Sequence, residues 1–558
     1  MNQPAWLPLI RQAEQVFDQG QLDQAHDLAR QVLAQSGDCV EALQIIGLIA
    51  SRQDRLDEAI DILSRVLQRR PDFSPSHNDI GMCYYKMGDV ERSLEHYEKA
   101  LLLQPDQPFA RFNRAAACLT LGLYSDGGHD YERRWFTGGL TRPEIRVPRW
   151  DGSPLNGREI LIHTEQGLGD VIQSIRFLPR LKQQGTRIHF ACQTPLHPLL
   201  KQLDSVDEWF PIGEPGQIRF DVYSPLLSLP ALLGVDSEQD IACDVPYLFA
   251  EEERVARWRP EIDAIPGMKI GLCWQGSPTF KSDQLRSVPL KQFLPLRTIE
   301  GISLVSLQKG FGSEQIALLK DQLPIRELAA LDEDGAFLDT AAVMQSLDLV
   351  ITSDSAIAHL AGALGRPVWL LVSTACDWRW LMDREDSPWY PTMRIFRQKT
   401  FGDWKSVMQS VVAALRAVQQ GKPAIRQAHR EEAIQVPIAP GELLDKISIL
   451  EIKLARIADE TKRANVAREW KLLESVRTQQ IPPSSELTQL TAALKQVNEQ
   501  LWEIEDSIRI RETEQDFGER FVELARSVYQ RNDQRAALKR EINELLGSTI
   551  MEEKSYAE

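Results

Sequence analysis

The chain has 558 residues, 43% hydrophobic and 26% charged, a balance that fits an ordered globular protein. At ~150 residues per domain it is too long for one core and predicts about three or four domains. Its 64 Lys+Arg against 80 Asp+Glu leave a net charge of −16, which argues against nucleic acid or an anionic membrane as the main partner. The seven cysteines (Cys39, Cys83, Cys118, Cys192, Cys243, Cys273 and Cys376) are scattered, odd in number and without a CxxC. They read as buried thiols of a reducing cytoplasm rather than as disulfides or a metal site. No apolar run approaches the ~20 residues that span a bilayer. The opening MNQPAWLPLIRQAEQVF has no basic stretch leading into an apolar core, so no secretion signal is expected. The expected location is cytoplasmic, with peripheral contact at the inner membrane left open.

The first third repeats itself. Ala13, Gly47, Gly81 and Ala115 stand 34 residues apart, as do Ala25, Ala59, Ser93 and Gly127. Small residues at two fixed points let paired helices approach closely, and Gly20, Asp54, Gly88 and Gly122 mark the turns between them. Pro71 and Pro105 fall at matching unit ends, where proline stops a helix without breaking one. The stretch MCYYKMGDVERSLEHYEKALLLQPD resembles the tetratricopeptide repeat, and the likeness covers about residues 5–137 within a first domain of 1–137. It implies an α-solenoid whose concave groove binds a protein partner. A structural spacer or a dimerisation arm is the plainer reading.

A Pro- and Gly-rich segment, Thr141–Glu159, is expected to act as a linker. Strands and helices then alternate. ILIHTEQGLGDVIQSIRFLPRLKQQGTRIHF (160–190) predicts a strand, a glycine-bearing turn ending in Asp170, a helix, and a second strand at Arg187–Ala191. A second lobe opens with KIGLCWQGS, continues with ISLVSLQKG, and contains the similar unit LDLVITSDSAIAHLAGALGRPVWLLV (347–372). Such alternation predicts parallel sheets with ligands beyond the carboxyl ends of the strands. The dinucleotide fingerprint is excluded because no third glycine follows Gly167 and Gly169 and no acid ends the second strand. A Walker loop is absent. Asp332 and Asp334 follow no apolar strand and read as a solvated loop, so no metal ion and no cofactor are expected.

EQGLGDVIQSIRFLPRL together with SDSAIAHLAGALGRPVWLL resembles glycosyltransferase family 9, the group of the lipopolysaccharide heptosyltransferases. More narrowly, it is similar to bacterial proteins that fuse tetratricopeptide repeats to such a domain. WQGSPTFKSDQLRSVPL, SLQKG and DWRWLMDREDSPWYPTMRIFRQ add to that narrower match. The likeness spans about 145–418 and implies a GT-B fold of two Rossmann-like lobes, 145–250 facing the acceptor and 260–418 holding a nucleotide sugar. It implies metal-independent, inverting sugar transfer to a glycan, lipid-linked or protein acceptor.

On that resemblance Asp170 is the general base, with Gln166, Gly167 and Gly169 forming the acceptor-side turn. From the residues alone Asp170 could equally be a helix N-cap. Ser353, Asp354 and Ser355 precede a helix whose free N–H groups suit a diphosphate. The family sets the aspartate matching Asp354 against the donor sugar, and His359 either joins it or is a core residue. Lys281, Arg286 and Lys309 are the cations expected on the diphosphate, and Gln308 is expected on the base or ribose. Trp274 reads either way, as a base contact or as core. STACDWRW stands where heptosyltransferases have a Gly-Pro turn, a departure that weakens ADP-heptose as the donor.

After a polar linker (419–433), Leu443, Ile447, Leu450, Leu454 and Ile457, and then Leu494, Val497, Leu501, Ile504 and Ile508, recur at helical spacing, with Pro482-Pro483 between them. The segment 434–558 is therefore expected to be a helical bundle or short coiled coil, and it resembles an uncharacterised bacterial helical family. The competing functional class is a non-catalytic adaptor with a degenerate nucleotide-sugar pocket.

Overall fold

The computed structural model of the chain describes residues 4, 6–37, 39–137, 139–212, 219–241, 244–278, 283–333, 335–425, 437–457 and 459–550. Lys281, Asp334, Cys243 and residues 426–433 of the expected linker lie outside the described residues. Two compact units result, Met1–His429 and Arg430–Glu558.

The first unit begins with eight helices in four antiparallel pairs: α1 (Leu7–Asp18), α2 (Leu22–Ser36), α3 (Val40–Arg52), α4 (Leu56–Arg69), α5 (Ser74–Met87), α6 (Val90–Leu103), α7 (Pro108–Thr120) and α8 (Tyr124–Tyr131). The small residues lie where the pairs touch. A Cβ on Gly81 would come within 2.6 Å of the Tyr97 ring, and one on Gly47 within 2.7 Å of Leu63. Gly20, Asp54, Gly88 and Gly122 all take positive φ, so one left-handed residue reverses the chain within every pair. Pro71 and Pro105 follow α4 and α6 directly. Gly81→Val is expected to cost about 1–3 kcal/mol through overpacking against Tyr97, read as a lower denaturant midpoint.

Two parallel sheets follow. The first has the order β3-β2-β1-β4, with β1 (Ile160–His163), β2 (Ile188–Cys192), β3 (Glu208–Pro211) and β4 (Val222–Pro225). The second has the order β10-β9-β8-β5-β6-β7, with β5 (Met268–Cys273), β6 (Ile302–Ser306), β7 (Ile325–Arg326), β8 (Leu349–Ser353), β9 (Val368–Val372) and β10 (Met393–Arg397). In each sheet the chain runs outward in one direction and then restarts on the other side of its first strand. The order therefore reverses at β1 in one lobe and between β5 and β8 in the other. Crevices at such reversals are where open parallel sheets bind ligands.

The Thr141–Glu159 segment is not a free spacer. Trp150 is buried, its backbone N–H bonds to Tyr223 O at 2.8 Å, and Arg149 bridges Tyr223 along the edge of β4. Proline and glycine bend this segment, but Trp150 and Leu155 give it apolar side chains to bury. Beside it the end of the repeat docks on the first lobe through charge. Arg134, just beyond α8, puts Nη2 2.8 Å from Glu165 Oε1 and 2.8 Å from Ser228 Oγ, with side chains only 1% and 3% exposed for the pair. Its other nitrogen meets Glu132 at 3.0 Å.

The second unit contains helices Pro440–Arg456, Glu460–Gln480, Ser485–Thr513 and Glu519–Leu545. Leu443, Ile447, Leu487, Leu494 and Ile542 form its core. A buried polar network crosses that core. Asn498 Nδ2 donates to Asp445 Oδ1 at 2.9 Å and to Ser448 Oγ at 2.7 Å, and Arg535 Nε donates to Asp445 Oδ1 at 2.7 Å. Satisfied networks of this kind fix helix register. Among the described residues no helix is long and apolar enough to cross a membrane.

Candidate functional site

The two glycine turns meet. β1 ends at His163, and the turn that follows leads into helix α9 (Leu168–Ser174). β8 ends at Ser353 and leads into the helix Ala356–Ala363. A Cβ added to Gly169 would lie 2.7 Å from His359 Cδ2 and 3.3 Å from Ala356 Cα. Gly169 is thus required by contact between the lobes and not by turn geometry. Gly167 has φ −69°, so it is not there for a left-handed turn either.

Asp170 is the third residue of α9, not its N-cap. Its Oδ2 accepts from Gly167 N–H at 2.9 Å, and its Oδ1 lies 2.8 Å from Arg379 Nη2 of the other lobe. The side chain is 22% exposed. Burial holds its pKa above the usual carboxylate range, and the neighbouring Arg379 charge opposes that rise.

Across the cleft, Ser355 is the N-cap residue of the Ala356–Ala363 helix, with no side-chain capping bond. Asp354 is therefore free of the capping role. Burial and the nearby Asp377 charge push its carboxyl up to about 6, against the pull of Trp380, Arg286 and Arg379. Ser353 is fully buried, and its Oγ has no partner among the described residues. The Arg286 guanidinium reaches this region from the turn Asp283–Arg286, where its Nε bonds to Asp283 Oδ1 at 3.0 Å.

The remaining expected contacts are engaged elsewhere. His359 bonds through Nδ1 to Tyr390 Oη at 3.0 Å, stacks on Trp380 at 5.1 Å, and is held neutral by burial. It forms a wall against Gly169. Gln308 Oε1 accepts from the N–H of Trp274 and of Gln275, each at 3.0 Å, and its Nε2 donates to Gln275 O and Phe311 O. Through these bonds Gln308 staples two loops together. Lys309 Nζ donates to Leu331 O at 2.9 Å and Asp332 O at 2.6 Å, and in this arrangement it braces a turn. Trp274 is fully buried and bonds to Gly312 O at 3.1 Å. Asp332 accepts from Asp339 N–H, Thr340 N–H and Thr340 Oγ1, which spends that carboxylate on capping a helix.

Sequence reasoning missed three contributors. Arg379 and Asp377 come from the loop after β9, which carries part of the narrower resemblance and the departure from heptosyltransferases but from which no site residue is expected. Tyr131, in the last repeat helix, accepts from Gln166 Nε2 at 3.2 Å and packs on Trp378 at 6.0 Å. An arginine between two tryptophans, directly after a strand of a parallel sheet, was the available signal.

Family models match the repeat and the C-terminal segment. Residues 10–73 and 74–107 match models described as tetratricopeptide repeat, and 434–558 match a family of unknown function, DUF6165. Protein FlbA of Caulobacter vibrioides is 30% identical over 379 residues, which is 62% of this chain and 62% of that protein. The chain thus spans less than two thirds of the curated relative it matches. Among solved structures, the ADP-heptose lps heptosyltransferase II of E. coli is 17% identical, with a TM-score of 0.36, over 47% of this chain and 100% of that one. A glycosyl transferase family 9 structure from Veillonella parvula is 14% identical, with a TM-score of 0.38, over 49% of this chain and 100% of that one. The chain carries tetratricopeptide repeats over residues 10–107, a central two-lobed parallel α/β unit and a C-terminal segment, 434–558, that matches DUF6165.

Proposed function

We propose that the chain is a glycosyltransferase that moves a sugar, with inversion, from a nucleotide-sugar donor to a hydroxyl of a glycan, lipid-linked or protein acceptor. The observation that carries this reading is the meeting of two switch-point turns, one bearing Asp170 and the other an uncapped helix N-terminus beside Asp354. In the reaction the acceptor oxygen bonds to the anomeric carbon as the bond from that carbon to the diphosphate breaks. The hydroxyl proton passes to Asp170, and the leaving group keeps the electron pair. The N–H groups at the start of the Ala356–Ala363 helix, the Ser353 hydroxyl and Arg286 are the groups that would stabilise the departing charge. Lys281, outside the described residues, remains a proposed partner of the diphosphate. The reaction then needs no metal, because arginine and helix N–H groups carry that charge. The repeat groove would bind the acceptor or a protein partner, in a cytoplasmic setting.

One observation favours the adaptor alternative: in this closed arrangement Arg379 already occupies one oxygen of Asp170. A thermal-shift panel of nucleotide sugars, followed by turnover of each stabilising donor, separates the two. Stabilisation with release of nucleoside diphosphate is expected. Stabilisation without turnover for any donor and acceptor would favour the adaptor.

A further inference from the structure

Arg379 belongs to the second lobe, yet its guanidinium is built into the first. Nη2 is 2.8 Å from Asp170 Oδ1, Nη1 is 2.8 Å from Asp377 Oδ1, and Nε donates to Gln173 Oε1 on α9. The side chain is buried and lies against the Trp378 ring, 4.6 Å from its centroid. Its partners are themselves tied down. Asp377 Oδ1 also accepts the Arg379 backbone N–H at 3.0 Å, and Asp170 Oδ2 is held by Gly167 N–H. A planar fork of five donors can serve two carboxylates and an amide at once, which an ammonium cannot do. A second arginine crosses the same boundary. Arg176 of the first lobe donates to Trp389 O at 2.6 Å and to Tyr247 Oη at 2.9 Å. Arg176 therefore secures the lobes without touching Asp170, and Arg379 is left with the carboxylate itself.

We propose that Arg379 is the positioning residue for Asp170: it keeps the base charged and aimed into the cleft, and it does so only while the two lobes are together. This rests on the transferase reading. The other charged or titratable groups that act on Asp170 are Asp377 on the loop of Arg379, Arg286 on its own turn and Tyr131 on α8, and the neutral His359 of the opposing helix packs against the adjacent Gly169. Arg379 exerts the largest charge effect on Asp170, with Asp377 opposing it and Arg286 assisting it.

The test follows Asp170 directly in the full chain by ¹³C NMR of carboxyl-labelled aspartate, taking the resonance lost in Asp170→Asn. In Arg379→Gln the midpoint of that resonance is expected to rise by about one pH unit or more, the usual effect of removing an adjacent opposite charge. Arg379→Lys is expected to keep part of the charge effect and lose the fork, giving an intermediate midpoint. With a nucleotide sugar that the wild type turns over, Arg379→Gln is expected to lower kcat about 100-fold and leave the donor KM within about threefold. The acid limb of kcat should move upward with the midpoint, a change that a merely structural residue would not produce. If Arg379→Gln does not fold, Arg379→Lys answers the same question, and a wild-type midpoint and kcat in that variant overturn the proposal. An unmoved midpoint in an active enzyme removes the role of Arg379 alone. Absence of any turnover by the wild type removes the transferase reading, and the positioning role with it.

Discussion

Asp170→Asn is expected to lower sugar transfer by about 10²–10⁴-fold, the range over which a positioned general base contributes. The amide has the shape of the carboxyl, and its oxygen can still accept from Arg379, so the lobes should stay together. Nucleoside diphosphate affinity is expected to change by less than about threefold, because Asp170 lies on the first lobe and the uncapped helix on the second. Calorimetry with the diphosphate and turnover with its sugar measure the two quantities separately. Burial holds the Asp170 pKa above the ordinary carboxylate range. Wild-type turnover should therefore fall as pH drops through that raised value, at a higher pH than for an exposed aspartate. Transfer at the wild-type rate by the variant would remove the base assignment.

The second large effect concerns the joint between the repeat and the first α/β lobe. Arg134→Ala is expected to cost about 3–5 kcal/mol, because it leaves the buried Glu165 without its cation, whereas Glu132 keeps Arg149. Chemical denaturation, following the transition of the first unit, reads this directly. Burial outweighs Arg134 at Glu165 and pushes its carboxyl up to about 7, from an ordinary value of about 4.3. Between those values the folded state binds more protons than the unfolded one, so stability should fall as pH rises through that window. Glu165→Gln is expected to flatten the slope. A slope unchanged in Glu165→Gln would mean that the pH dependence arises elsewhere.

The repeat was legible because close helix packing demands small residues at a fixed interval, and Gly47, Gly81 and Gly127 answer that demand with no space for a Cβ. The strands bearing the site were legible as buried apolar runs. β3 was not, since it lies at a sheet edge where the pattern is diluted, as in the half-buried Glu208–Phe210. At the site, the turns with Asp170 and Asp354 could be recognised, but the use of each side chain could not. Gln308 and Lys309 are held by main-chain groups that any sequence would supply. Arg379 was missed for a different reason. Its partner Gln173 is 206 positions away, and only the stacking of one lobe on the other brings them together.

The central claim is that both switch-point turns form one site. Determining the structure of the full chain with a nucleoside diphosphate, UDP or ADP, tests it most directly. The β-phosphate is expected against Ser353, Ser355 and the first N–H groups of the Ala356–Ala363 helix, with Arg286 beside it and Asp170 facing the space beyond. A diphosphate bound away from that helix, or with Asp170 turned out of the shared cleft, would contradict the account.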